Sequence, residues 1–145
     1  MIGIITAIVS GVLMSVQGVF NEGVTKQTSI WVSSSFVQLT ALLFCFCAWF
    51  LTGRESSFGE LFRIDNKYML LGGVLGALIT YTVIRSMSAL GPAQAVMIIV
   101  TAQLLAAYFI ELSGIFGTEK VDFQWHKLLG IAISIGGILL FKWEK

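Results

Sequence analysis

The residues of this 145-residue chain that could do chemistry are a few amides and one carboxylate set into long apolar runs. Thr6, Ser10, Gln17 and Asn21 recur at spacings of four, seven and four, which places them in one stripe on a helix. Ser34, Ser35 and Gln38 share a second face, and Thr80 and Tyr81 are followed by Arg85 and Ser88. Gln94, Thr101 and Tyr108 recur every seven residues, with Gln103 and Glu111 on a neighbouring strip. A hydroxyl satisfies itself on its own helix carbonyls, but an amide in lipid needs an external partner. Gln17, Asn21, Gln38 and Gln103 therefore point to a cavity or an interhelical network. Arg85 and Glu111 lie near segment ends, within snorkelling reach of water. This is chemistry for holding a small solute. There is no HExxH, nucleophile elbow, phosphate loop or usefully spaced carboxylate pair, so an enzyme is not expected, nor a metal site or cofactor. The lone His126 reads as an interface residue, and Cys45 and Cys47, on different faces of one helix, read as apolar filler.

The elements that position these groups follow from composition. Only 12% of residues are charged and mean hydropathy is +0.89, where a soluble domain carries roughly 25% charge. The charges cluster between apolar runs long enough to cross hydrocarbon, and the runs are too long and uniform for a β-barrel. Five segments stand out, at about 2–20, 31–51, 68–87, 92–112 and 128–141, giving a single all-α membrane domain over 1–145. Pro92 is suited to a helix N-terminus. Trp31 and Trp49 bracket the second segment and Trp125 and Trp143 the fifth, as an interfacial aromatic belt would. Met1 to Val19 lacks a basic n-region and a cleavage site, so it reads as a retained first helix ended by the polar stretch Asn21 to Ser29. In the loop Gly53 to Lys67, Phe58, Leu61 and Phe62 share a face, compatible with a surface-lying amphipathic turn or an ordinary solvated loop.

Five helices put the termini on opposite sides. The N-terminal side then carries Arg54, Arg63, Lys67, Lys120 and Lys127, and the other side Lys26, Arg85, Lys142 and Lys145, five against four of the nine basic residues. Orientation is set by asymmetry in Lys and Arg, and here there is nearly none. Insertion in both orientations, with two chains pairing antiparallel, fits this count; a single weakly biased orientation is the other reading. Net charge of +1 gives no argument for nucleic acid. Small residues mark close-packing faces: Gly72, Gly73 and Gly76 in the third segment, and Gly130, Ser134, Gly136 and Gly137 in the fifth, either of which could form a dimer contact.

These residues, in this order, resemble a family. Gln17-x-x-x-Asn21, Trp31 with Ser35-Phe36, Gly72-Gly73-x-x-Gly76, Leu90-Gly91, Gln103-Leu104, Ile110-Glu111 to Gly114, Leu129-Gly130 and Gly136-Gly137 resemble the YdcZ family of small membrane proteins in the drug/metabolite transporter superfamily. The resemblance covers essentially the whole chain. It implies five helices, unbiased or opposed orientations, and existence singly, in pairs or as fused antiparallel halves. The superfamily also contains small multidrug resistance proteins, which exchange cations for protons through a carboxylate in the first helix. This chain departs from that pattern, with Gln17 in the first helix and Glu22 expected past its end. It has Glu111 where the family usually has a shorter acid, and Ala102 where it usually has Gly. Glu111 is then the only acid expected on a helix.

The expected function is transport of a small solute by an antiparallel homodimer in the bacterial inner membrane, through alternating access and a cavity lined by the first four helices. The expected cavity residues are Gln17, Asn21, Ser35, Gln38, Tyr81, Gln103 and Glu111. Gly72, Gly73, Gly76, Gly130 and Gly137 are the expected packing or dimer residues. A dual-topology ion channel would instead conduct without saturation, and a non-transporting adaptor would show no flux and co-purify with a partner.

Overall fold

The structure, a computed structural model, describes residues 1–143. Every regular element among them is helical: α1 (Ile2–Gln27), α2 (Ile30–Leu51), α3 (Gly72–Leu90), α4 (Pro92–Ser113) and α5 (Trp125–Lys142), with short 3-10 helices in the connections. Two compact units divide the chain, Met1–Ser88 and a second beginning at Ala89.

In the first unit α1 overruns its expected end. Asn21 and Glu22 are not past the helix but inside it, and Glu22 joins Glu111 as an acid on a helix. The physical reason is local. The Glu22 carboxylate meets the Lys26 ammonium one turn on, at 2.8 Å, an i,i+4 pair with the acid on the favourable N-terminal side. The polar stretch therefore continues the helix. It stops where Thr28 turns its hydroxyl back to the Val24 carbonyl at 2.8 Å and Ser29 accepts from the Val32 amide at 3.3 Å, capping α2. The α1–α2 turn is thus only Thr28 and Ser29. Beyond α2, the loop takes a 3-10 form over Phe58–Arg63. Phe58 folds onto Phe46 and Trp49, at ring separations of 5.1 and 4.9 Å, and Trp49 donates to the Ser56 carbonyl at 3.0 Å. Phe62 stays exposed. A second 3-10 helix, Lys67–Leu71, leads into α3.

Gly18 of α1 is a close-packing position. A β-carbon there would overlap the Met87 methyl and lie 2.7 Å from its sulfur, and Met87 itself is 2% exposed.

In the second unit, Pro92 opens α4 and Gly114 closes it at φ +63°, the left-handed conformation glycine adopts without strain. The return to α5 is tied to α4 by backbone and side chain. The Val121 amide donates to the Glu111 carbonyl at 3.0 Å, and the Tyr108 hydroxyl accepts from the Gln124 amide at 2.8 Å while donating to the Gln124 carbonyl at 3.3 Å.

Four spans, α1, α2, Lys67–Leu90 and α4, are long and apolar enough to cross a membrane. In α5 the described apolar stretch, Trp125–Phe141, is shorter than these four; the sequence expectation of five spans is met for four. The buried apolar residues among those described are few: Ile84, Met87, Ala95, Tyr108 and Ile131. Leu, Ile, Val and Phe cover the outside of the helices, an arrangement that lipid tolerates because its tails are as apolar as they are. Cys45 and Cys47 are free and exposed.

Candidate functional site

Two polar sets stand out, one in each unit. The first is built on the α1–α2 hairpin. Asn21, Glu22, Ser33 and Ser34 are all less than 9% exposed, a concentration of buried polarity next to helices otherwise clad in apolar side chains. The Ser33 hydroxyl donates to the Asn21 carbonyl at 3.1 Å and so links the two helices. Two further hydroxyl oxygens, those of Thr25 and Ser34, are buried without a partner among the described residues. Such groups are costly to leave unsatisfied, so each calls for a hydrogen-bond partner from outside the described residues. Farther along α2, Gln38 donates to the Thr80 hydroxyl of α3 at 3.3 Å, and Thr80 donates on to the Gly76 carbonyl at 3.0 Å. The rings of Trp31 and Tyr81 stack, with centroids 5.1 Å apart.

The second set lies between α4 and α5. The Lys127 ammonium sits 3.0 Å from a Glu111 carboxylate oxygen and 5.1 Å from the centroid of the Tyr108 ring. Here the helices open into a groove of about 440 Å³, lined by Leu104, Ala107, Gly130, Ile131 and Ser134 besides the three polar residues. That volume is in the range of small-molecule sites, roughly 300–1,000 Å³. Its make-up, an apolar trough with a charged pair at one place, suits a small amphipathic ligand.

The structure distributes the expected cavity residues unevenly. Asn21 is buried beside Ser33; Gln38 and Tyr81 engage α3 and α2 partners; Glu111 lines the α4–α5 groove. Gln17, Ser35 and Gln103 face outward from the chain. Of the glycines, a β-carbon at Gly76 would lie 3.9 Å from the Gln38 amide nitrogen, whereas Gly72, Gly73, Gly130, Gly136 and Gly137 have open space where a side chain would be. In the charge count, the Lys142 side chain and Lys145 lie outside what is described.

Four participants escape the sequence reading: Ser33, Glu22, Thr25 and Lys127. For Glu22 a signal exists in the Glu22–Lys26 spacing. For Lys127 none does, since its partner is distant in sequence.

A family comparison covers nearly all of the chain. Residues 2–140 match the family described as "Putative inner membrane exporter, YdcZ". No curated protein and no solved structure matches the sequence. With four long apolar helices and this match over residues 2–140, the chain is a multi-pass inner membrane protein and belongs to the YdcZ family, of the drug/metabolite transporter type.

Proposed function

We propose that the chain exports a small solute across the inner membrane as an antiparallel homodimer of five-span chains, by alternating access. The observation that carries this reading is the outward exposure of Gln17 and Gln103 on two helices long enough to span. A primary amide turned to hydrocarbon lacks hydrogen-bond partners and is costly. A second copy would supply those partners to each amide. The near-even division of basic residues supports opposed orientations. The open glycine positions at Gly72, Gly73, Gly130 and Gly137 are where another helix can approach closely. As for α5, 18 residues at 1.5 Å rise reach about 27 Å, short of the usual hydrocarbon thickness of about 30 Å but enough where the bilayer thins locally. Exchange between two equivalent conformations of an inverted pair then gives access to each side in turn.

Two measurements test this. In proteoliposomes loaded with a panel of cationic, neutral and anionic small solutes, Gln17→Leu with Gln103→Leu is expected to cut efflux of the transported solute by tenfold or more. Unchanged efflux overturns their lining role. Reporters active on only one side of the membrane, fused to the C-terminus, are expected to give signal from both sides; signal from one alone refutes the dual orientation.

A further inference from the structure

The α4–α5 groove already holds an ammonium group, and that group is the protein's own. We propose that this groove binds a primary ammonium ion bearing a short apolar chain, and that Lys127 occupies the ligand's ammonium position until it is displaced. Treating that ligand as export cargo rests on the function proposed above; its binding does not.

Three observations converge. The Lys127 ammonium makes the two contacts that define a cation site, a carboxylate oxygen of Glu111 at 3.0 Å and the face of Tyr108 at 5.1 Å. Both partners come from α4, three residues apart, so the helix itself sets them on one side. The ring and the backbone beneath the carboxylate are held independently of Lys127. The Tyr108 hydroxyl is fixed by the Gln124 backbone, and the Glu111 backbone carbonyl is tied by the Val121 amide. The helix segment that carries both groups therefore keeps its place when the lysine leaves.

Next, the resident cation is poorly placed. Lys127 is in the first turn of α5, where the helix dipole is positive and disfavours an ammonium, while Glu111 is in the last turn of α4, where it is negative and favours one. A free ammonium ion gains the α4 terms without being tied to the α5 terminus. The lysine side chain is 36% exposed and that of Glu111 47%, so the pair is weak and water-accessible, and Lys127 can swing out to solvent. Finally, the groove continues past the charged head along Leu104, Ala107 and Ile131, with Gly130 contributing no side chain to fill it. That trough accepts an alkyl or aryl tail and no second charge.

The probe is n-butylammonium, which is the lysine side chain without its backbone. It is titrated calorimetrically into the purified full chain in detergent, with butyrate as control. Lys127→Ala is expected to bind it about tenfold tighter than the unaltered chain, because the competing ammonium is gone. Adding Glu111→Gln to Lys127→Ala is expected to lower that affinity at least tenfold. Lys127→Gln keeps the stem and loses the charge, so it replaces Lys127→Ala if the latter does not fold, with a gain of the same sign. Equal affinities for Lys127→Ala and the double variant overturn the site, as does butyrate binding as well as butylammonium. Binding with no butylammonium efflux from proteoliposomes keeps the site and counts against the export reading; efflux without binding at this pair does the reverse.

Discussion

The α1–α2 and α4–α5 hairpins each carry one acid–lysine pair, and the two pairs are built differently. Glu22 and Lys26 lie one turn apart on α1, the carboxylate side chain 11% exposed and the ammonium 67%. Glu111 and Lys127 reach across from α4 to α5, with both side chains partly exposed. The first pair lets a buried acid remain in a helix by handing its charge to a lysine that reaches out. The second joins two helices at the mouth of a groove, where either member can be replaced by a ligand. Burial makes a polar group structural; partial exposure makes it exchangeable. The same contrast separates the two hydroxyls at the head of α2, since Ser33 is satisfied by Asn21 whereas Ser34 has no partner among the described residues.

The largest expected effect lies in the packing that holds the first unit together. Gly18→Leu drives a branched side chain into Met87, which has almost no exposed surface to move into. Overpacking of this kind costs about 1–3 kcal/mol, and a matching fall in thermal stability in detergent is expected. Met87→Ala in the same chain is expected to restore most of it. If Gly18→Leu is tolerated with Met87 intact, α1 and α3 are not in the close contact described, and the structural reading of the buried set loses its frame.

How much of this was legible in the sequence depends on the range of the interaction that decides it. The four long spans follow from apolar length alone, and Trp31, Trp49 and Trp125 fall at or near helix ends as a belt requires. Of the seven-residue recurrence Gln94, Thr101 and Tyr108, the last two are buried and Gln94 is half-buried. The end of α1 is not legible from polarity alone, because Glu22 and Lys26 at i,i+4 stabilise a helix through the polar stretch. Choosing among Ser33, Ser34 and Ser35 requires knowing the rotation of α2 against α1, which three adjacent serines cannot encode. The Glu111–Lys127 pair joins residues 16 apart through a turn, and periodicity carries no information about such a pairing.

The serine contrast gives the next expected effect, and its sign is the informative part. Ser33→Ala removes an interhelical hydrogen bond, of a kind that averages about 0.6 kcal/mol in membrane proteins. A small loss of thermal stability is expected. Ser34→Ala removes a buried hydroxyl that has no partner, so stability is expected to hold or rise slightly. If Ser34 receives part of a transported solute, efflux falls in Ser34→Ala while stability does not. A stability loss in Ser34→Ala as large as that in Ser33→Ala would mean the two hydroxyls are equivalent, and the unsatisfied set would cease to mark a site.

The smallest effect concerns the local pair. Lys26→Ala removes a mostly exposed ammonium, and helix pairs at this spacing contribute about 0.2–0.5 kcal/mol, reduced by salt. Glu22, however, is buried and its pair is shielded from counterions, so the loss is expected at the upper end of that range and only weakly salt-dependent. The corresponding Lys127→Ala change is expected to leave stability within about 0.5 kcal/mol, since its carboxylate partner is already open to water. Comparing the salt dependence of thermal unfolding in the two variants separates a structural charge from an exchangeable one. If both variants respond to salt alike, burial does not distinguish the two pairs, and the division between a structural hairpin and a ligand-exchanging one fails.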